Sequence, residues 1–274
     1  MSTVWIDGAL VDEGEARVSP FDHGLLTGDG VFETLRVSGF RPFAPRRHLE
    51  RLARSAAGLR LACPAPATVA AAIDEVIRAN GLEEGRLRIT VTGGPSALGS
   101  DRGPAGPTVI VAGGPLPAWP PAADVVVAPW PRNERGALTG LKTISYGENV
   151  VALAHARDHG AGEALFANLA GNLCEGTGTN VFLGIGGRLV TPPLSAGCLA
   201  GVTRELVCAL VEVSEEDVPL HAIRSADEAF LTSSTRDVQP IRSVDGRALP
   251  ACPGPLTEGA AAAFRGLLAR DLDP

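Results

Sequence analysis

The stretch around which this chain is organised is Thr139-Gly140-Leu141-Lys142-Thr143-Ile144-Ser145-Tyr146, which holds the only lysine in 274 residues. It follows a Pro- and Arg-rich segment at the end of a predicted strand and precedes a predicted helix. Because a junction between a strand and a helix fixes a side chain at the edge of a cleft, we expect Lys142 there. Partial burial there can lower the pKa of an amine and make it a nucleophile. All other basic residues are arginine, whose guanidinium stays protonated and cannot attack a carbonyl. We therefore predict that Lys142 is catalytic; survival of one lysine by chance is the alternative.

A second informative stretch is Leu173-Cys174-Glu175-Gly176-Thr177-Gly178-Thr179-Asn180-Val181-Phe182. It places Glu175 on an otherwise apolar strand, directly before a glycine–threonine loop. A buried carboxylate without a cationic partner is costly, so a partner is expected. A protonated heterocyclic nitrogen would serve, and an ion pair with an arginine is the alternative.

Three further segments offer groups for a small anion. Gly201-Val202-Thr203 opens a predicted helix, whose free N–H groups and positive dipole end favour a phosphate; alternatively Thr203 merely caps that helix. Thr232-Ser233-Ser234-Thr235 supplies four hydroxyls, or forms an ordinary polar turn. Arg51, on a helical stretch, can add a counter-charge or lie on the surface.

The pattern of apolar residues predicts an α+β protein with two domains, 1–115 and 116–274, joined by a Pro-rich connector at about 113–131. In the first domain, helices are expected at about 46–61 and 68–80, with a strand at 31–37. In the second domain, strands interrupted by single helices suggest a barrel-like lobe. A strand is expected there at 218–223.

Composition and charge exclude several classes of function. The formal charge of −7 and pI near 5.3, without a basic run, argue against nucleic acid or anionic lipid as partners. No apolar stretch is long enough to span a membrane, and a cytoplasmic location is expected. The cysteines show no C-x-x-C pairing, and the His155/His159 pair lacks the Glu of His-Glu-x-x-His, so no metal site is predicted.

Taken together and in order, several motifs resemble the class IV aminotransferases, the fold-type IV pyridoxal 5′-phosphate (PLP) enzymes. The nearest branches are 4-amino-4-deoxychorismate lyase and D-amino-acid transaminase. The motifs are Phe21-Asp22-His23-Gly24, Gly28-Asp29-Gly30-Val31-Phe32-Glu33-Thr34, residues 48–52, Lys142, residues 175–182, residues 199–204 and residues 232–240.

The resemblance implies a small N-terminal α/β lobe and a larger C-terminal pseudo-barrel lobe, with PLP between them. It further implies that Lys142 forms a Schiff base with PLP and carries protons, and that Glu175 holds the pyridine nitrogen protonated. Leu199 would lie under the ring. Similar enzymes form homodimers, which we expect here. The phosphate would be surrounded by Arg51, Val202, Thr203, Ser234 and Thr235.

The segment 28–34 is more similar to the lyase and D-amino-acid branches than to the branched-chain branch, which usually has Phe-Glu-Gly there. Phe32 stands where the D-amino-acid branch has a tyrosine, and Leu98 stands where a substrate-binding arginine is expected. Arg102 is a candidate to replace that arginine. The sequence thus favours a lyase that releases 4-aminobenzoate and pyruvate from 4-amino-4-deoxychorismate. A D-amino-acid or branched-chain transaminase and a catalytically silent PLP-binding protein are the alternatives.

Overall fold

The computed structural model describes residues 2–274, which form two compact units. Within the described residues, one unit comprises 2–117, Leu141–Tyr146 and Asp271–Pro274. The other comprises Ala118–Gly140 and Gly147–Arg270. The division predicted at 115/116 thus differs from these units in three short segments, 116–117, 141–146 and 271–274, and the second of them carries Lys142.

The first unit is a six-stranded antiparallel sheet with helices packed against it, in the order β2-β1-β6-β5-β3-β4. Its strands are β1 (Thr3–Ile6), β2 (Ala9–Asp12), β3 (Gly30–Ser38), β4 (Arg41–Pro42), β5 (Glu84–Thr92) and β6 (Val109–Gly114). Its helices are α1 (His23–Thr27), α2 (Pro45–Gly58) and α3 (Pro66–Asn80).

The helices and the central strands of this unit follow from the sequence pattern. Helices α2 and α3 both begin with proline, whose fixed φ suits the first turn. Their apolar faces and the inward side chains of β3 and β5 make one core, which includes Leu35, Leu52 and Ile73. Helix α1 was not predicted, because it is five residues long; the Asp22 side chain caps it by accepting from the N–H of Gly24.

The segment that carries Lys142 belongs to the first unit because its backbone pairs with the start of β3. The N–H of Phe32 donates to the carbonyl of Lys142 at 3.0 Å, and the N–H of Ile144 donates to the carbonyl of Gly30 at 2.9 Å. A Cβ at Gly30 would lie 2.7 Å from the Val91 carbonyl oxygen, so the close packing here requires glycine. The lysine is therefore fixed to β3, not to the strands that surround it in sequence.

The second unit is a curled, half-barrel sheet of nine strands in the order β12-β11-β10-β13-β14-β7-β8-β9, with β15 on β14. This agrees with the predicted α+β class and barrel-like lobe. The strands are β7 (Ala123–Val127), β8 (Glu163–Ala167), β9 (Leu173–Gly176), β10 (Asn180–Ile185), β11 (Arg188–Thr191), β12 (Ser214–Glu215), β13 (Glu228–Ser233), β14 (Asp237–Val244) and β15 (Arg247–Ala248). The helices are α4 (Gly147–Asp158), α5 (Val202–Leu210) and α6 (Pro255–Arg270).

The strand predicted at 218–223 is wrong. Residues Leu220–Arg224 form a 3₁₀ helix, which follows Pro219, a residue without an N–H for a sheet ladder. Within residues 2–274, no helix combines the length and apolar character that crossing a membrane requires.

Candidate active site

The amine of Lys142 lies against the face of an aromatic ring in the first unit. Its Nζ is 4.2 Å from the centroid of Phe32, which is buried. The Lys142 backbone N–H donates to Ser55 Oγ on α2 at 3.0 Å, and its carbonyl accepts from Phe32. The lysine is half-buried and held on both sides of its peptide unit. It thus has the fixed, partly desolvated position expected of an attacking amine.

The same Phe32 ring also supports a second cation, Arg88 on β5. The Arg88 guanidinium carbon is 3.8 Å from the ring centroid, and Tyr146 packs edge-on with its ring centroid 5.1 Å away. Arg88 is an exposed residue, but its guanidinium is partly desolvated against the Phe32 ring, and this burial lowers its pKa. Its one side-chain hydrogen bond among residues 2–274 joins Nε to Thr90 Oγ1 at 3.2 Å. Its two terminal nitrogens are therefore available to a ligand. The sequence did not single out Arg88, since an exposed arginine on an alternating strand is usually a solvated residue.

Behind the lysine, α2 and β3 enclose a buried cluster of charged groups. The Glu33 carboxylate accepts from Arg51 Nε and Nη2 and pairs with His48 Nδ1, each at 2.7 Å. Burial alone would raise the pKa of Glu33, but Arg51 and His48 outweigh it and hold that pKa well below its usual range. Burial lowers the pKa of His48, with Glu33 opposing this effect. Arg51 is therefore a buried, ion-paired residue; its predicted contact with phosphate stays a prediction.

The two other predicted substrate residues lie in the loop between β5 and β6. Leu98 is 77% exposed. Arg102 makes a bidentate ion pair with Asp29, with both distances 2.6 Å, and also donates to the carbonyls of Leu59 and Arg60. Arg102 would have to give up such a contact to bind a substrate carboxylate, so this geometry favours Arg88 over Arg102 for that role.

Asp29 is shared between Arg102 and a histidine of the family motif. His23 Nδ1 is 2.7 Å from Asp29 Oδ2, and His23 Nε2 is 3.2 Å from the Gly99 carbonyl oxygen. The hydrogen bond to Asp29 raises the pKa of His23. The cluster ties α1 to the loop that carries Leu98.

In the second unit, Glu175 lies at the end of β9 with its side chain 14% exposed. Its Oε2 accepts from the N–H of Leu199 at 2.9 Å, and its Oε1 is 3.3 Å from Arg132 Nε. The arginine partner considered from the sequence is thus present. Arg132 itself was missed, because it lies at the end of the Pro-rich connector; its guanidinium stacks on Phe166 at 4.1 Å.

The segment before α5 is held by Asn180 on β10. Asn180 Nδ2 donates to the Leu199 carbonyl at 2.9 Å, and a Cβ at Gly201 would collide with Asn180 Oδ1. Gly201 caps α5 without a side chain, so the first N–H groups of this helix have no side-chain cap. Val202 and Thr203, the first residues of α5, are both buried.

Ser234 and Thr235 form the turn that joins β13 to β14, and both are half-buried. On the preceding strand, the Thr232 hydroxyl is buried without a hydrogen-bond partner among residues 2–274. The second unit therefore presents a carboxylate, an open helix N-terminus and a hydroxyl-rich turn, the groups that a pyridine ring and a phosphate ester require.

Comparisons with known proteins agree with this set of groups. The family model for amino-transferase class IV matches residues 30–244. A branched-chain-amino-acid aminotransferase of Escherichia coli is 31% identical over 292 residues, covering 96% of this chain and 92% of that protein. An aminodeoxychorismate lyase of Bacillus subtilis is 29% identical over 257 residues, covering 88% and 86%.

A solved structure of the branched-chain aminotransferase from the archaeon Thermoproteus uzoniensis, with norvaline, superposes on this chain with a TM-score of 0.90. The two are 31% identical, with coverage of 97% and 94%. Another structure of a branched-chain amino acid aminotransferase, with a TM-score of 0.91 and 28% identity, contains pyridoxamine 5′-phosphate. The family resemblance drawn from the motifs is confirmed by the model match. The chain therefore belongs to the class IV aminotransferase family and is a PLP-dependent enzyme of fold-type IV.

Proposed function

We propose that this enzyme is an aminotransferase that moves an amino group between an L-amino acid with an apolar side chain, of the branched-chain type, and a 2-oxo acid. The observation that carries the proposal is the pair of cations on the Phe32 ring. Lys142 supplies the amine that acts at the substrate carbon, and the exposed guanidinium of Arg88 supplies a partner for a carboxylate. An amino acid and an oxo acid both present a carboxylate, so both halves of the reaction use Arg88.

The residues described above fit PLP, which acts as an electron sink for the substrate carbon when bound. Lys142 would be its covalent partner and would move the proton at that carbon. The Glu175 carboxylate, held by the Leu199 N–H, would keep the proton on the pyridine nitrogen. Leu199 would lie against the ring. The groups proposed for the phosphate are Arg51, Val202, Thr203, Ser234 and Thr235.

The Phe32 and Tyr146 rings support the choice of an apolar substrate side chain. They pack edge to face, and the half-buried Tyr146 ring gives the substrate an apolar surface near the reacting amine. The branched-chain aminotransferase of E. coli is also slightly more similar to this chain than the B. subtilis lyase is. The lyase favoured by the sequence motif is therefore our second candidate.

The lyase keeps one specific observation in its favour. Thr34 stands on β3 where the branched-chain branch usually has glycine, and it pairs with Arg88 across the sheet. A cyclohexadiene substrate with ring and enol-ether carboxylates would also find a partner in Arg88. A contact with Arg88 is therefore expected for both the aminotransferase and the lyase reaction, and only the products distinguish the two.

A substrate panel tests the proposal. The PLP-loaded enzyme is incubated with L-leucine, L-isoleucine, L-valine or D-alanine plus 2-oxoglutarate, and separately with 4-amino-4-deoxychorismate. We expect glutamate from the branched-chain L-amino acids. Glutamate from D-alanine alone would move the assignment to the D-amino-acid type, and 4-aminobenzoate with pyruvate would establish the lyase. A PLP-loaded protein that turns over none of them would be the silent cofactor-binding protein.

Replacing Arg88 by leucine tests its role in substrate binding. A hydrogen bond to a charged group contributes about 1.5–3 kcal/mol, so we expect KM for both the amino acid and the oxo acid to rise roughly 10- to 150-fold. The maximal rate should change less, because Lys142 is untouched. Arg86→Leu is the matched control, since Arg86 lies two residues away on the same strand and face. Equal KM changes in both variants would reject the assignment.

Homodimerisation, which the family resemblance implies, stays a prediction. Phe21 and Leu25 in the first unit are 52% and 71% exposed. Apolar side chains of this kind are compatible with an interface.

A further inference from the structure

Glu163 is a buried carboxylate for which the proposed function names no role. It is the first residue of β8, and its side chain is 1% exposed. A charge at this depth requires hydrogen-bond donors. Its Oε1 accepts from the Thr177 N–H at 2.9 Å and from the Thr177 hydroxyl, and its Oε2 is 3.3 Å from Thr179 Oγ1. Glu163 therefore fixes the loop that directly follows Glu175.

The cationic partner of Glu163 is Arg236, which comes directly after Ser234 and Thr235. Arg236 Nη2 is 3.4 Å from Glu163 Oε2, and the Arg236 side chain is 7% exposed. Its guanidinium stacks on Trp119 at 3.7 Å and donates from Nη1 to Gln239 Oε1 at 2.7 Å. The arginine thus points inward, and its position fixes the backbone of the turn that bears the two hydroxyls.

The hydrogen bonds continue from Thr177 back to Glu175. The Thr177 carbonyl accepts from Asn149 Nδ2 at 2.5 Å. Asn149 Oδ1 accepts from Arg132 Nη1 at 3.0 Å, and Arg132 Nε lies 3.3 Å from Glu175 Oε1. The turn and the carboxylate therefore belong to one connected polar network within the second unit.

We propose that the Glu163–Arg236 pair is a positioning device that sets the Ser234–Thr235 turn relative to the Glu175 loop, so that the turn hydroxyls meet the phosphate ester of PLP. This rests on the proposed function, because it assumes that the turn contacts the phosphate. Replacement of one partner leaves a buried charge without its counter-ion, and the backbone around it shifts in response. Neither residue touches the cofactor.

The test compares PLP with pyridoxal, which lacks the phosphate, by equilibrium binding to the native enzyme, Arg236→Gln and Arg236→Lys. We expect the Kd for PLP to rise about tenfold in Arg236→Gln, the low end of the loss that follows removal of a group that orients a metal-binding side chain. The Kd for pyridoxal should change less than about twofold, and Arg236→Lys should recover part of the PLP affinity because it keeps the charge.

The matched control is Arg242→Gln, on the adjoining strand β14. Arg242 pairs with Asp124 at an exposed position, and we expect its PLP affinity to match the native enzyme. Glu163→Gln in the Arg236→Gln background should add little further loss, because the two residues act as one pair.

Three outcomes overturn the proposal. The first is an equal loss of affinity for PLP and for pyridoxal in Arg236→Gln, and the second is an unchanged PLP affinity in that variant. The third is a loss of PLP affinity in the double variant that equals the sum of the two single losses. If Arg236→Gln does not fold, the affinities of Arg236→Lys for PLP and pyridoxal are compared instead. We then expect a smaller loss of affinity that is confined to PLP, and an equal or absent loss would overturn the proposal. A native enzyme that binds no PLP would instead reject the proposed function itself, which keeps the two failures distinct.

Discussion

Replacing Lys142 by alanine is expected to abolish turnover, with a fall in kcat of at least about 10³-fold, as for other enzymes that lose their nucleophile. The amine is held over Phe32 by the pairing of its own backbone with β3, and the sequence contains no other lysine that could take its place. Lys142→Arg should be equally inactive, because a guanidinium does not lose its proton. Steady-state rates with the best substrate of the panel give the direct measurement.

Because the chain contains a single lysine, the predicted Schiff base between Lys142 and PLP can be tested directly by mass. After borohydride treatment of the PLP-loaded native enzyme, intact mass should increase by one reduced cofactor. Lys142→Ala should show no such increase at a side chain, since the sequence contains no other lysine. Thermal melting of both proteins checks that the fold is retained. Peptide mapping separates a side-chain adduct from one on the N-terminal amine; a side-chain adduct or normal turnover in Lys142→Ala would refute the assignment.

The features that could be predicted from sequence are those set by local pattern. The core faces of α2 and α3 follow from helical spacing of apolar residues, and the alternation of β3 identified a strand whose full length pairs with β5. Glu175 was singled out because a carboxylate is conspicuous on an apolar strand, and Lys142 was singled out by composition; their roles toward the cofactor stay predictions. The predicted division assigned the Lys142 segment to the second domain. Its pairing with β3 joins residues more than 100 positions apart, which no local pattern reveals.

The residues that sequence reasoning missed depend on such distant contacts. Arg88 differs from an ordinary surface arginine only because its guanidinium lies over the Phe32 ring, which also contacts Lys142. Glu163 and Arg236 are 73 positions apart, and each alone resembles a strand end or a polar turn. One signal was available for Glu163: like Glu175, it is an acid adjoining an apolar strand segment, Ala164-Leu165-Phe166, and the same cost of an unpaired buried charge applies to it.

Replacing Glu175 by glutamine is expected to lower kcat by about 10²- to 10³-fold while PLP remains bound, a loss typical of removing one preorganised electrostatic group. The glutamine carbonyl can still accept from the Leu199 N–H, but the amide NH₂ then faces Arg132 Nε, so the ion pair with Arg132 is lost together with the charge. Without that charge, the proton on the pyridine nitrogen is no longer favoured, and the ring withdraws electrons less effectively from the substrate carbon. Single-turnover rates and the absorbance of the bound cofactor measure the two parts of the prediction.

Glu148→Gln provides the control for this charge change. Glu148 also pairs with Arg132, at 3.1 Å, but its side chain is 75% exposed and solvent screens its charge. Glu148→Gln should therefore turn over at close to the native rate. If Glu175 acted only by neutralising Arg132, the absorbance of the bound cofactor would be the same in Glu175→Gln and in the native enzyme, whereas a changed absorbance beside the loss of kcat would place the effect at the pyridine nitrogen. Native turnover in Glu175→Gln would exclude that role, because a neutral amide cannot hold a protonated ring nitrogen as a carboxylate does.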